Sequence, residues 1–558
     1  MKNFFLHMEQ SYGWNKSTHG ECIFWFKGYL FDMSFDDVVQ PVSVFISNIS
    51  KYKEDLSNFL SNIRGHYSFV IYMGDVLIAV VDKVCTIPLF YAETDNQILI
   101  GNSATVIKDS ICSSGCSFND SSVLEISMSG YTIGDKTLYN SIHQITAGEY
   151  MCIHNSRIHK QYYHTYSPWK TRTRTESLLK KELTSVLIDV MDRLALSVKN
   201  KRVVVPLSAG YDSRLIVSGL KQAGVKDVLC VSYGRAKSFE VSAAKNIASK
   251  LGYDFKHVNY DSSYIRNYYN SDEYSKFKSC FDRKNSVEFV QDMSAISFMH
   301  ANSELDKNSV IINGMTGDYI SGSHILHVFS PYVAHNRNMS RDNNANLFDM
   351  AMMEYVQKHY NLWDTLSNNN NNNKIIDNIL IFLEDRVPGF NNFDNMYAIF
   401  EFLEFYGRQS KFVLKGQEVY DYYGYDWRLP LWDSVFIDFW QSVPLDYKYS
   451  QKLYKDVLVE NNWGNVWNNI PLNKKTINPL WIRPVRFLSK ILFSPLEKKQ
   501  WHQFERNVLE YWMDDSYGSK RYPYSRFLLD KKGHRNILSF RTEDYIKKHV
   551  DLSLDYLA

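Results

Sequence analysis

The chain has few cysteines, and none of them lies in a metal-binding or disulfide pattern. Its seven cysteines, an odd number, are scattered along 558 residues without a C-x-x-C pair. This spacing argues against a disulfide framework and against a structural zinc site, and it is typical of proteins from a reducing compartment. We therefore expect a cytoplasmic protein.

The sequence also lacks long apolar runs and an excess of charge of one sign. No segment approaches the roughly 18 apolar residues that a membrane span needs. The N-terminus, with one Lys and no sustained apolar stretch, is a poor signal peptide. The 63 basic and 61 acidic side chains nearly balance, so we expect no general attraction to nucleic acid or to an acidic membrane. Small molecules are the expected partners.

Hydrophobic patterning separates a β-rich first part from an α/β second part. Short β-branched and aromatic runs such as Cys22–Leu30 occupy the first ~165 residues. From Ser177 to Val198, apolar residues recur at three- and four-residue spacing, which predicts an amphipathic helix. Two short apolar strands follow, at Val203–Val205 and Val228–Val231, each with a helix after it. This order predicts a doubly wound parallel sheet. Beyond about Asp377 we expect mostly helix.

The strongest local signal lies between the first apolar strand and the helix predicted to begin at Arg214. Small residues at 208–210 let backbone N–H groups approach an anion, and the helix N-terminus adds a positive dipole. Asp212 would repel phosphates unless a divalent cation lay between them, which indicates Mg²⁺. A plain helix cap would use the same residue types, but the position after a buried strand favours a pyrophosphate loop. The predicted loop comprises Leu207, Ser208, Ala209, Gly210, Tyr211, Asp212 and Ser213.

This loop resembles the S-G-G-x-D-S loop of the ATP pyrophosphatases, with Ala209 in place of a glycine. A second cluster, Gly314–Asp318, resembles the asparagine synthetase segment G-x-G-S-D-E, whose Asp holds magnesium pyrophosphate. The resemblance implies that Asp212 and Asp318 are metal ligands that face each other across ATP, and that Asp318 takes part in catalysis. Further nucleotide contacts are expected from Ser232, Asn313, Gly314 and Gly317.

Further matches follow in the order of the family. Asp426–Asp433 is similar to E-x-R-x-P-F-L-D and is followed by the similar Ser450–Lys455. The pair Arg428 and Asp433 is interpreted as structural. The stretch from Ile325 to about Asn395 is longer than the resemblance leads us to expect, and we expect it to shape the substrate pocket.

Lys474 and Lys475 lie where the synthetases and their β-lactam-forming relatives carry a lysine that stabilises the adenylation and acyl-transfer transition states. The sequence does not rank the two lysines, and a pair of solvated surface lysines is an equal alternative. The six consecutive Asn within Ser367–Asn373 predict an exposed, mobile loop.

The N-terminal part resembles the glutamine amidotransferase domain that precedes the synthetase, at Arg64–Tyr72 and Val81–Tyr91. In that family a cysteine directly after the initiator Met is the nucleophile, whereas Lys2 and Asn3 stand here. Cys22 is better interpreted as the start of a strand, and no counterpart of the N-G-E-I-Y-N glutamine-binding run is present. We expect this domain to keep its fold without hydrolysing glutamine.

A second departure concerns proton transfer. Met315 occupies the place where asparagine synthetases carry Glu and the β-lactam-forming relatives carry Tyr. Methionine neither donates nor accepts a useful proton. Either Tyr319 or His324 takes that role, or the nitrogen nucleophile needs no base there.

The resemblance implies an α/β plus α+β protein of three parts. Residues 1–168 would form a degenerate Ntn-hydrolase-like amidotransferase sandwich, and 175–500 a doubly wound ATP pyrophosphatase domain with a helical C-terminal part. A helical extension would occupy 501–558. A homodimer is left open.

The expected function is an ATP- and Mg²⁺-dependent, AMP-forming C–N ligase that joins a small carboxylate to ammonia or an amine. Asparagine formation is the default product, with amidation of a uronic acid or closure of a peptide as variants. A tRNA-modifying ATP pyrophosphatase and a non-catalytic relative are alternatives of other classes. Neutral charge and the missing C-x-x-C count against the first, and retention of Asp212 and Asp318 counts against the second.

Overall fold

The computed structural model describes residues 3–111, 116–333, 345–468, 470–471, 477–551 and 554 of the chain. The first part contains two sheets. Its strands are β1 (Asn3–His7), β2 (Asn15–His19), β3 (Cys22–Phe31), β4 (Arg64–Met73), β5 (Val76–Val81), β6 (Phe90–Glu93), β7 (Gln97–Gly101), β8 (Ile142–Gln144), β9 (Glu149–His154) and β10 (Arg157–Tyr162). Its helices are α1 (Asp36–Ser47), α2 (Ile49–Asn62), α3 (Ala104–Ile111) and α4 (Asp120–Ser129).

The two sheets form the expected sandwich. A six-stranded sheet of order β10-β9-β5-β4-β3-β2 faces a four-stranded sheet of order β1-β7-β6-β8. Alternate residues of the larger sheet point to opposite faces. Val70 and Ala79 join the core shared with the smaller sheet, whereas Phe69 and Ile78 pack under α1 and α2. Cys22 begins β3, as predicted.

The second part is built on a five-stranded parallel sheet. Its strands are β11 (Val203–Pro206), β12 (Val228–Tyr233), β13 (Asp254–Val258), β14 (Val310–Ile312) and β15 (Asp426–Arg428). They lie in the order β13-β12-β11-β14-β15, and every pairing is parallel. The strand order reverses direction between β11 and β14, which is the position where doubly wound sheets bind ligands. The predicted fold class is confirmed.

Helices surround this sheet and continue to the C-terminal end of the described chain. They are α5 (Glu176–Ser197), α6 (Tyr211–Gln222), α7 (Phe239–Leu251), α8 (Ser262–Tyr269), α9 (Asp272–Cys280), α10 (Met293–Ala301), α11 (Gly317–Ile320), α12 (Ala345–His359), α13 (Asn369–Arg386), α14 (Met396–Glu404), α15 (Glu418–Tyr423), α16 (Ser434–Gln441), α17 (Leu445–Lys448), α18 (Lys452–Asn461), α19 (Ile482–Leu492), α20 (Lys498–Phe504), α21 (Tyr511–Met513), α22 (Tyr524–Leu528) and α23 (Ile537–Val550).

Two boundaries differ from the sequence prediction. Helix α6 begins at Tyr211, not at Arg214, because Gly210 adopts the extended conformation of a cap and the chain turns helical directly after it. The mostly helical region beyond Asp377 also contains a strand, β15, because Asp426–Arg428 pairs with β14 and completes the sheet edge.

The asparagine run is not a loop, so that prediction is wrong. Asn369–Arg386 forms helix α13, and the Asn368 side chain caps it by accepting a hydrogen bond from the Asn371 N–H. Asn is a favourable cap residue, and Ile375 begins an apolar stripe that packs inward at three- and four-residue spacing. The Asn371 amide is buried and donates to the Leu366 carbonyl at 3.2 Å. Capping and burial therefore outweigh the compositional signal.

The stretch from Ile325 to Asn395 contacts both parts of the protein. In the second part, Lys358 donates to the His324 carbonyl at 2.6 Å, and His359 Nε2 lies 3.3 Å from the Glu404 carboxylate. Asn378 donates to Glu125 in the N-terminal part, and Arg386 donates to Thr146 there. None of its described residues lines the main cleft, so they form no part of the cleft wall. Its contacts with His324 and Glu404 leave an indirect effect on the pocket as a prediction.

The described cysteines and helices test two expectations from the sequence, that the chain has no disulfide framework and no membrane span. Cys22, Cys85, Cys152, Cys230 and Cys280 are free thiols, whereas Cys116 is disulfide-bonded, which the sequence did not predict. Among the described residues, no helix is long and apolar enough to cross a membrane.

We predict that Asn368→Ala destabilises the first turn of α13 by about 1 kcal/mol because it removes the cap. Hydrogen exchange of the Asn371 and Asn372 amides should become faster. Asn370→Ala is a matched control at an exposed helical position, where alanine has the higher helix propensity, and it should leave exchange unchanged or slower. Rapid exchange at these amides in the unsubstituted protein would contradict the helix.

Candidate functional site

The predicted pyrophosphate loop opens into a cleft of about 860 Å³ at the carboxyl ends of β11 and β14. This volume is in the range of small-molecule sites. One wall comes from the loop and from the Gly314–Asp318 cluster, and another from α8, α10 and the C-terminal helices. Ten predicted residues line the cleft: Leu207, Ser208, Gly210, Tyr211, Asp212, Ser213, Ser232, Asn313, Gly314 and Asp318.

Two hydroxyls give the loop its shape. The Ser213 hydroxyl accepts from the Ser208 N–H at 3.0 Å and lies 3.0 Å from the Ser208 hydroxyl. The Ser208 hydroxyl in turn accepts from the Gly210 N–H at 3.1 Å. Ser208 is exposed to the cleft. The loop is therefore held by its own side chains directly before the N-terminus of α6, where N–H groups and the helix dipole favour an anion.

The position where the loop departs from the family pattern is buried. Ala209 is fully buried, and its N–H donates to the Glu240 carboxylate at 2.7 Å. Its carbonyl accepts from Arg214, whose guanidinium also donates to the carbonyls of Val466 and Ile470. The methyl group thus points into protein, and Arg214 supports the loop from behind.

The two predicted carboxylates lie together although 106 residues separate them in the chain. The Asp318 N–H donates to Asp212 Oδ2 at 2.9 Å, and the Tyr454 hydroxyl donates to Asp212 Oδ1 at 3.2 Å. Tyr454 belongs to the Ser450–Lys455 motif, so that motif contributes to the site by holding Asp212. Both carboxylates line the cleft.

Glycines permit this close approach. A Cβ on Gly314 would lie 2.9 Å from the Asp212 carbonyl carbon and 3.0 Å from the Ser213 nitrogen. A Cβ on Gly317 would lie 2.5 Å from Leu431 Cδ1 and 2.9 Å from Asp212 Oδ1. A Cβ at 314 would collide with the backbone of the loop, so glycine is required there, whereas a Cβ at 317 would displace the side chains of Leu431 and Asp212.

The pKa values of the two carboxyl groups are shifted in opposite directions. Burial, and then the neighbouring charge of Asp318, raise the pKa of Asp212. Burial alone would also raise the pKa of Asp318, but the hydrogen bond and charge of His324 hold it below its usual value. His324 Nε2 lies 3.4 Å from Asp318 Oδ2, and its Nδ1 lies 2.5 Å from the buried Glu404 carboxylate. Burial lowers the pKa of His324, but Glu404 and Asp318 together raise it to about 9.

The donor set fits a cation that is shared with a nucleotide. The described residues contain no group of three or more His, Cys, Asp or Glu that could hold a metal alone. Mg²⁺ is usually held by one or two carboxylates together with substrate phosphates and water. Asp212 and Asp318 supply two carboxylates beside a loop that suits phosphates, so the residues present fit Mg²⁺ bound to ATP.

A hydrogen-bond network around Asp292, at the cleft wall, has no counterpart among the residues predicted from the sequence. The Asp292 carboxylate accepts from the Tyr233 hydroxyl at 2.6 Å, from Asn313 Nδ2 at 2.9 Å and from the Tyr420 hydroxyl at 2.6 Å. It fixes the side chain of the predicted contact residue Asn313. No short motif marks Asp292 or Tyr420. The only sequence signal for Glu404 is a carboxylate inside the apolar run of α14.

Several other residues predicted from the sequence do not line the cleft. Gly317 supports the site but does not line the cleft. Tyr319 is buried, and its hydroxyl donates to the Glu401 carbonyl at 2.6 Å, away from the carboxylates. Arg428 and Asp433 bind different partners: Arg428 stacks on Tyr29, whereas Asp433 binds Arg193. Lys474 and Lys475 lie outside the described residues.

Family models match most of this architecture. A model described as asparagine synthase matches residues 189–461, which include the parallel sheet and the carboxylate pair. A model described as a glutamine amidotransferase domain matches residues 48–164 of the sandwich. The chain belongs to the asparagine-synthetase-like proteins that carry an N-terminal amidotransferase domain.

More distant comparisons add little. No curated protein matches the chain at a significant level. Among solved structures, the allosteric regulatory enzyme of purine biosynthesis is 12% identical with a TM-score of 0.17, covering 43% of this chain and 61% of its own. Glutamine phosphoribosylpyrophosphate amidotransferase from B. subtilis, complexed with ADP and GMP, is 11% identical with a TM-score of 0.17, covering 56% and 64%. The chain thus spans less than two thirds of either structure.

Proposed function

We propose that this chain is an ATP-dependent, AMP-forming C–N ligase that adenylates a carboxylate and joins it to ammonia or an amine. The observation that carries the proposal is the pairing of Asp212 and Asp318 beside a phosphate-type loop, in which the Asp318 N–H donates to Asp212 Oδ2 at 2.9 Å. Two neighbouring carboxylates at the mouth of an anion site are costly unless a cation joins them to a phosphate.

Each group of the site has a proposed role. The Ser208 and Ser213 hydroxyls and the N–H groups at the start of α6 would bind the β- and γ-phosphates, which depart together as pyrophosphate. Asp212 and Asp318 would hold Mg²⁺, which neutralises charge on the departing pyrophosphate when it is bound. Ser232, Asn313 and Gly314 would contact the rest of the nucleotide.

Tyr319 and His324 are the two candidates for a proton-transfer role, and their hydrogen-bond partners distinguish them. The Tyr319 hydroxyl is committed to a buried carbonyl, so we assign it no chemical role. His324 binds Asp318 and Glu404, and we propose that it positions Asp318. With Met315 in the cluster, the attacking nitrogen would need no base from that position. Lys474 or Lys475 remains the proposed cation for the adenylation and acyl-transfer transition states.

The broader assignments remain proposals as well. We propose the division 1–168, 175–500 and 501–558, a cytoplasmic location, and small-molecule partners, with a homodimer left open. Amidation of a uronic acid and closure of a peptide use the same chemistry on different carboxylates. Two alternatives of other classes remain, a tRNA-modifying ATP pyrophosphatase and a non-catalytic relative. In either case the protein would not adenylate a small carboxylic acid.

Asp212→Asn and Asp318→Asn should each reduce Mg²⁺-dependent pyrophosphate release by roughly 10²–10³-fold, because each removes a charge that the metal would meet. Pyrophosphate is measured with MgATP and a panel of carboxylic acids. Asp456→Asn is a control on α18, outside the residues that line the cleft, and should keep the activity. Near-normal turnover of either site variant would show that its carboxylate is not a metal ligand.

The nitrogen source gives an independent prediction. Lys2 occupies the place of the family's nucleophilic cysteine, so purified protein should release no glutamate from glutamine above a no-enzyme control. Ammonia or an amine should support product formation. Glutamate release that depends on the protein would refute the absence of glutaminase activity and leave the synthetase assignment intact.

A further inference from the structure

Helix α19 presents an apolar face to solvent. Large apolar side chains recur at three- and four-residue spacing along the helix and its N-cap. Phe487, Leu488 and Leu492 are 67%, 60% and 74% exposed. A water-soluble protein rarely leaves such a patch uncovered unless the patch contacts another molecule. We call it the α19 face, and its exposed residues are Trp481, Val485, Phe487, Leu488, Ile491 and Leu492.

The opposite side of α19 is fixed to the protein. Ile482 is fully buried and packs with Trp501 and Leu509 in a small apolar cluster that is separate from the main core. Arg486 forms an ion pair with Glu505, which follows α20. The helix is therefore joined to the protein by one side, and the α19 face lies on the other.

The charge of α19 indicates the kind of partner that fits this face. The helix contains Arg483, Arg486 and Lys490 and no Asp or Glu. At three- and four-residue spacing these cations form one row along the helix, beside the apolar side chains. Lys498 and Lys499 are exposed at the start of α20. The balanced charge of the whole chain thus includes a local excess of positive charge next to an apolar face.

We propose that the α19 face binds the surface of a lipid bilayer that contains anionic lipids. Trp, Phe and Leu on one face of a helix, with Arg and Lys beside them, are typical of helices that lie in the lipid–water interface. The apolar side chains would enter the acyl-chain boundary, and the cations would contact anionic headgroups. The 11 residues of α19 span about 16 Å, too short for the roughly 30 Å hydrocarbon core, so the helix would lie along the surface.

A second copy of the chain is a poorer partner for the α19 face. A symmetric contact would join two faces that carry the same positive charge, and α19 has no carboxylate that could pair with the cations of the other copy. An anionic headgroup layer above an apolar interior complements both the charge and the apolar side chains of the face.

The α19 face adjoins a wall of the cleft. Asn478, shortly before α19, donates to Asp515 at 3.3 Å, and Asp515 lines the cleft. Trp481 contacts Trp512 with ring centres 6.0 Å apart. Lipid binding would therefore bring one wall of the cleft toward the bilayer surface. The asparagine synthase model ends at residue 461, so this face lies outside the region that the family match describes.

Flotation of the full chain with lipid vesicles tests the proposal. Vesicles of phosphatidylcholine alone are compared with vesicles that also contain phosphatidylglycerol. The chain should bind the anionic vesicles, and added salt should weaken that binding. The double variant Leu488→Ser, Leu492→Ser should lower the partition coefficient by roughly tenfold or more, because two leucines no longer enter the lipid. Ile381→Ser, at a comparably exposed isoleucine of α13, should bind as the unsubstituted chain does.

A second pair of variants tests the contribution of charge. Arg483→Gln, Lys490→Gln should weaken binding to the anionic vesicles by roughly tenfold and leave binding to phosphatidylcholine unchanged. Lys245→Gln, Lys250→Gln removes the same charge at exposed lysines of α7, and it should bind both kinds of vesicle normally.

Failure of the unsubstituted chain to float with the anionic vesicles would overturn the proposal. Equal binding by the leucine variant would also overturn it, because the attraction would then be electrostatic adsorption alone. Sedimentation velocity without lipid tests the other occupant: a dimer that becomes a monomer in the leucine variant would assign the α19 face to a second copy of the chain. Pyrophosphate release is measured without lipid, so the ligase proposal stands or fails separately.

Discussion

The site depends on the close approach of two backbone segments at the point where the strand order reverses. Gly314 and Gly317 bring the end of β14 against the loop after β11, at distances that a single methyl group would prevent. This contact places the Asp318 N–H on Asp212 and aligns both carboxylates on one side of the cleft. The parallel sheet provides the rigid base, because β11 and β14 are hydrogen-bonded neighbours.

The approach has an electrostatic cost that the surrounding protein only partly offsets. Tyr454 donates to Asp212, and the His324–Glu404 pair supports Asp318 from behind. Burial and the neighbouring carboxylate nevertheless raise the pKa of Asp212. A bound cation would remove that cost, so the same geometry that strains the free protein favours a magnesium nucleotide. Asp292 fixes Asn313, which directly precedes the Gly314–Asp318 cluster.

The sequence predicted the fold class and both clusters because these features are local. A short apolar strand, a turn of small residues and the start of a helix can be recognised within about a dozen residues of sequence. Helix α6 begins three residues before the predicted start, because the extended conformation of Gly210 leaves no signal in the composition. The asparagine run is helical because the apolar stripe that follows it packs inward, which the composition of the run itself does not indicate.

Contacts between distant segments could not be predicted in the same way. Asp292, Tyr420, Glu404, Arg521 and Arg541 meet the site only through tertiary packing, and each is an ordinary polar residue in its own helix or turn. The described residues of the Ile325–Asn395 stretch do not line the cleft; they contact the N-terminal part and the His324–Glu404 pair. The C-terminal helices line the cleft instead.

The most direct measurement is the fate of ATP when an acid from the substrate panel supports turnover. The loop lacks a lysine that would reach the β- and γ-phosphates, since Arg214 is buried and committed to backbone carbonyls. With an ¹⁸O-labelled carboxylate, adenylation by the Asp212–Asp318 site should give AMP and pyrophosphate in equal amounts and ¹⁸O in the AMP phosphate. Formation of ADP and inorganic phosphate, with no label in AMP, would contradict it.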